Sequence, residues 1–123
     1  MQREKFSIRK RLKSFQYAFN GIKILISEEP NARIHLLAAC CVGIAGWIFR
    51  ISKGEWIALI FCIAGVFALE AINSAIENLA DFVSPEQHET VKKIKDLSAA
   101  AVLIAAVAAA IVGLIIFLPK ILS

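Results

Sequence analysis

The chain has 123 residues, which predicts a single domain. Its apolar fraction is 59% and its mean hydropathy +0.70; soluble domains average about 45–50% apolar, and so short a chain can bury only part of its surface. An ordinary soluble globule is therefore excluded, and because the net charge of +4 comes from basic residues flanking apolar segments, a lipid bilayer rather than nucleic acid is the expected partner.

The first element is an interfacial helix. Ile8, Leu12, Phe15, Phe19, Ile22 and Ile26 recur at helical spacing, with Arg9, Lys10, Arg11, Lys13, Gln16, Asn20 and Lys23 between them. One apolar stripe with a basic opposite face suits a helix lying among anionic headgroups. Segment 14–28 is too polar for the apolar region of a cleavable leader, so none is expected. The sequence 27–31 then breaks the helix, and Pro30 suits the first turn of the next. The apolar run 34–49, interrupted only by His35, has 16 residues. That is short of the roughly 20 that cross a bilayer core, and a start at Pro30 supplies the length. Residues 50–54 read as a tight turn.

A second span opens at Glu55 and Trp56, runs apolar to Leu69, and continues without a breaker through Glu70, Asn73, Glu77 and Asp81. Segment 84–88 ends it. The charged stretch 89–95 is helical in pattern and leads into 97–118, which is 22 residues without a charge and rich in alanine. The chain thus reads as one all-α membrane domain over 1–123, with an interfacial helix at 1–28 and transmembrane helices at 30–50, 55–82 and 91–119. Eight Lys and Arg lie in the segment up to Arg33 and three at 92–95, against Arg50, Lys53 and Lys120 elsewhere. This asymmetry puts the N-terminus and the 84–95 loop on the cytoplasmic side. Cys40, Cys41 and Cys62 lie in apolar runs without metal-ligand spacing and are expected to be small core hydrophobes.

Chemistry concentrates on the second span. At 100° per residue, Asn73, Ser74, Glu77 and Asp81 share one face with Glu70 within about 100°. If the apolar slab begins at Trp56, Glu70 lies about 7 Å inside it. A carboxylate at that depth is costly and is usually functional; it suits a general base or a proton carrier. Glu28 and Glu29 stand at the same membrane level as Glu77, where two or three carboxylates can hold Mg2+ with water and phosphates completing the shell. Lys95 and Asp96 begin the third span there, and a lysine so placed can meet phosphate or simply snorkel. No glycine-rich phosphate loop is present.

The run from Glu70 to Asp81, Glu-Ala-Ile-Asn-Ser-Ala-Ile-Glu-Asn-Leu-Ala-Asp, together with Ser-Pro-Glu-Gln-His at 84–88 and Lys95-Asp96, resembles the bacterial diacylglycerol kinase family, which includes undecaprenol kinases. The likeness extends to Ser14-Phe15-Gln16-Tyr17-Ala18 and Gly21. It implies a homotrimer of three-span subunits in the bacterial inner (cytoplasmic) membrane, phosphorylating a lipid alcohol with ATP and Mg2+. Carried over, Glu70 is the base, and Glu29 and Glu77 hold the metal on the phosphates. Lys95, Asp96, Glu86 and His88 contact nucleotide, and Lys10 and Tyr17 close over it. The lipid enters from the bilayer with its head near Asn31, Arg33, Glu70, Asn73 and Ala99. Segment 31–35 is similar to the undecaprenol branch, whereas the diacylglycerol branch tends to have an acidic residue where His35 stands. His35 by itself reads as a helix-packing histidine, so both lipids stay open.

Two rival classes remain on the residues alone. A small proton-coupled multidrug transporter also carries a membrane-buried glutamate, but needs four spans and keeps that glutamate in the first. A non-enzymatic membrane scaffold would not require the acidic stripe.

Overall fold

The computed structural model describes residues 5–86 and 88–123. The first four residues of the expected interfacial helix, and Gln87 of the 84–88 motif, lie outside the described residues. The fold is all-helical: α1 (Ile8–Glu28), α2 (Pro30–Phe49), α3 (Lys53–Val83) and α4 (Glu89–Leu122). The last three are long and apolar enough to cross a membrane.

Each helix end has a local cause. Ser7 is extended and its side chain accepts from the Lys10 N–H, so α1 starts after it. Glu29, at φ −107° and ψ 107°, separates α1 from α2, whose first residue is Pro30. Proline lacks the N–H that would be unsatisfied there anyway. The turn between α2 and α3 is tighter than 50–54. Arg50 takes the left-handed conformation at φ 52°, and the Ile51 N–H reaches back to the Gly46 carbonyl at 3.2 Å. Ser52 and Glu55 then exchange backbone and side-chain hydrogen bonds of 2.9 and 3.2 Å, a capping box that starts α3. Gly54 therefore lies inside α3. The glycine the turn needs is Gly46, where a Cβ would lie 2.7 Å from the Trp56 ring and 3.0 Å from Ile51.

The small apolar core sits at this end. Ile51, Leu59 and Ile116 are buried, with Val42, Trp56, Val112 and Phe117 against them. Phe49 meets Phe117 edge to face at 6.0 Å, and Lys120 on α4 donates to Glu55 on α3 at 2.9 Å. The α3–α4 pair is the most extensive contact, whereas α2 lies more thinly against both. That thinness corrects one expectation: Cys40 and Cys41 are exposed and only Cys62 is half-buried, so two of the three cysteines are not core residues.

Helix α3 has 31 residues, about 46 Å at 1.5 Å per residue. A bilayer core is only about 30 Å thick. A helix entering the slab near Trp56 therefore carries its acidic end out of it.

Candidate functional site

At the end away from the core, α3 makes a graded series of polar contacts with its neighbours. Deepest, Glu70 is 4% exposed and its Oε1 lies 2.5 Å from His35 Nδ1 on α2. Its other oxygen, Oε2, is enclosed and has no hydrogen-bond partner among the described residues. Nearly a turn further, Ser98 on α4 donates to Asn73 Oδ1 at 2.6 Å. On the adjoining position, Ser74 donates to Glu29 Oε1 at 2.9 Å, which fixes the α1–α2 junction onto α3. Glu77 follows, half-buried and without a hydrogen bond or ion pair to another described residue. Last, Lys95 on α4 pairs with Asp81.

A cleft of about 310 Å³ gathers the deeper part of this series. Glu29, Asn31, His35, Glu70, Asn73 and Ala99 line it, with Ile34, Val102, Leu103 and Ala106 as its apolar wall. All five of Glu29, Asn31, Glu70, Asn73 and Ala99, singled out from the sequence, thus share one space, although they come from the α1–α2 junction, α2, α3 and α4. Helical spacing explains part of this. Asn31 and His35 stand one turn apart on α2, as do Glu70, Asn73 and Glu77 on α3.

Other expected site residues stand elsewhere. The Arg33 guanidinium donates to the Ser27 carbonyl at 3.2 Å instead of lining the cleft. Asp96 is exposed and paired with Lys92 at 2.7 Å. His88 caps α4 by accepting from the Thr90 N–H at 3.1 Å. Glu86 is exposed beside it, and Lys10 and Tyr17 are exposed on α1. His35 is the site residue that sequence reasoning undervalued. Its polarity within an apolar run was the available signal, but its contact with Glu70 spans 35 positions and two helices, beyond any one-helix spacing rule.

Among the described residues no three His, Cys, Asp or Glu side chains are gathered as a ready-made metal cage. The donors do suit a hard cation of another kind. Ser74 brings Glu29 to within one turn of Glu77, both are carboxylates, and Glu77 has no competing partner among the described residues. Mg2+ is ordinarily held by one or two carboxylates plus substrate phosphates and water.

Residues 16–117 match the family described as prokaryotic diacylglycerol kinase. The chain is 42% identical over 108 residues to an undecaprenol kinase of Bacillus subtilis, covering 88% of each chain. It is 36% identical over 113 residues to a diacylglycerol kinase of Synechocystis, covering 91% of this chain and 65% of that one. It is 32% identical over 101 residues to a diacylglycerol kinase of Escherichia coli, covering 81% and 82%.

Proposed function

The chain belongs to the prokaryotic diacylglycerol kinase family and is a membrane lipid kinase, and on that premise we propose that it transfers the ATP γ-phosphate directly to the hydroxyl of a single-chain polyprenol of the undecaprenol type. The family sets aside the transporter and the scaffold. The observation that carries the chemistry is the enclosed Glu70 carboxylate: one oxygen meets His35, the other has no partner among the described residues, and the residue lines the cleft.

In this reading the lipid hydroxyl enters the cleft from the bilayer past Asn31, Asn73 and Ala99. Glu70 accepts the hydroxyl proton, the oxygen bonds to the γ-phosphorus, and the bond from phosphorus to the β–γ bridging oxygen breaks to release ADP. Such transfers depend mainly on positioning and charge neutralisation. Mg2+, when bound, neutralises phosphate charge; Glu29 and Glu77 would hold it. Glu77 lies about 10 Å along α3 from Glu70, so the phosphates sit nearer the surface than the base. Lys95, Asp96, Glu86 and His88 serve the nucleotide, with Lys10 and Tyr17 above it, and Arg33 steers the lipid head. The exposed apolar residues of α1, among them Leu12, Phe15 and Phe19, suit a helix lying on the cytoplasmic face of the inner membrane, the side assigned by the lysine and arginine asymmetry.

Identity of 42% to the undecaprenol kinase, against 36% and 32% to the two diacylglycerol kinases, favours the polyprenol. ATP turnover with undecaprenol and with diacylglycerol in matched micelles tests it. Faster turnover of undecaprenol is expected; faster turnover of diacylglycerol would reassign the lipid, and no lipid-dependent turnover would reject the reaction.

A further inference from the structure

We propose that His35 is a positioning residue that locks the Glu70 carboxylate, so that Oε2 alone receives the substrate proton. This rests on the reading of Glu70 as the base. An ionised carboxylate only accepts hydrogen bonds, so the His35 ring nitrogen at 2.5 Å carries the hydrogen and donates to Oε1. Charge-assisted bonds of this kind are short and directional. Without one, a carboxylate on a flexible side chain can rotate about its last torsion and offer either oxygen, or neither, to the cleft.

Three further observations support the assignment. Glu70 is 4% exposed, so bulk water has little access to its oxygens. Its Oε2 is enclosed and unpartnered among the described residues, an arrangement that costs free energy and is rare in native structures; a hydroxyl reaching it from the cleft would satisfy it. His35 also lines a second, apolar cavity of about 500 Å³ between α2, α3 and α4, beside Ala38, Ala39 and Val42. The imidazole thus forms part of the wall between a polar head cleft and an apolar space. One nitrogen meets the base while the ring borders an apolar space.

The experiment is steady-state kinetics of the full-length enzyme in lipid micelles for His35→Leu, His35→Asn, Glu70→Gln and the Glu70→Gln/His35→Leu double variant. Nucleotide binding and a thermal melt are measured on each. His35→Leu fills the space without a donor and should lower kcat roughly 10²-fold, the cost of misplacing a reacting group, with lipid KM and MgATP binding little changed. His35→Asn, whose amide N–H sits close to Nδ1, should recover most of the loss. In the Glu70→Gln background His35→Leu should cost nothing further, because a group acting through Glu70 has nothing left to orient.

Normal kcat in His35→Leu beside a crippled Glu70→Gln overturns the positioning role and leaves the base standing. A raised lipid KM at normal kcat makes His35 a lipid contact and overturns the proposal. An undiminished loss in the double variant overturns it too. A near-normal Glu70→Gln removes the base reading and this inference with it. If His35→Leu does not fold, His35→Gln, whose amide lies one atom further out, takes its place with the same expected loss.

Discussion

In the proposed reaction one glutamate, Glu70, is the base, and its surroundings come from three helices. Replacing Glu70 by Gln keeps the shape and removes the proton acceptor. General-base catalysis contributes about 10²–10⁴ in rate, so Glu70→Gln should lower kcat by that order while MgATP binding, measured directly, changes little. Weakened MgATP binding at near-normal kcat would instead make Glu70 a metal ligand. Glu29→Gln and Glu77→Gln should behave differently. Each removes one hard oxygen charge from a site with few protein ligands, so the Mg2+ concentration for half-maximal activity should rise; an unchanged Mg2+ response in either variant would remove that residue from the site. Glu70 and Glu77 stand out in the sequence because aligned acids on an apolar helix need a reason to be there, and Glu29 stands out by its level at the helix break. Their partners are less legible. Ser74 to Glu29 and Glu70 to His35 join residues 45 and 35 positions apart, and periodicity within one helix carries no register between helices.

At the scale of the helices, hydropathy identifies α2, α3 and α4, although only the run 97–118 reaches bilayer length without help from flanking helical residues. The turn expected at 50–54 falls at the α2–α3 junction but is shorter, since α3 already begins at Lys53. Gly54 reads as a turn residue, yet Arg50 bears the positive φ and the capping box makes Gly54 helical. Gly46 is demanded by packing: Trp56 folds back across α2 so closely that any Cβ collides with its ring, a contact that turn statistics cannot see. Gly46→Ala should therefore destabilise the protein by about 1–3 kcal/mol, the usual cost of overpacking, read as a lower melting midpoint in detergent. The cleft lies at the opposite end of the helices, so kcat at low temperature should survive. A Gly46→Ala variant as stable as the parent would mean that Trp56 moves aside freely.

Taken as a whole, one chain of the molecule encloses little. Only 11%, 22% and 6% of the apolar windows of α2, α3 and α4 are buried, so most of each span must face lipid or another protein surface. Lipid supplies no hydrophobic drive for helices to associate, and close packing through small residues takes its place. The alanine-rich part of α4, from Ala99 to Ala110, offers such a surface. The site also looks outward. Glu77 has no partner among the described residues, and Arg33, Glu86, His88, Lys10 and Tyr17 do not line the cleft that holds Glu70. A cleft of about 310 Å³ is small for a lipid head and a nucleotide triphosphate together, since drug-sized ligands alone occupy pockets of roughly 300–1,000 Å³. Neighbouring copies of the chain would enlarge and cover it, and a homotrimer, closed by rotation, uses the same surfaces on every subunit. The prediction is that lipid-dependent ATP turnover travels with a species of three chain masses when the detergent-solubilised enzyme is sized by native mass measurement. Dilution into conditions that yield single chains should abolish turnover, and returning the chains to lipid should restore it. Full turnover by a species of one chain mass would show that each chain completes its own site and would remove the need for the trimer.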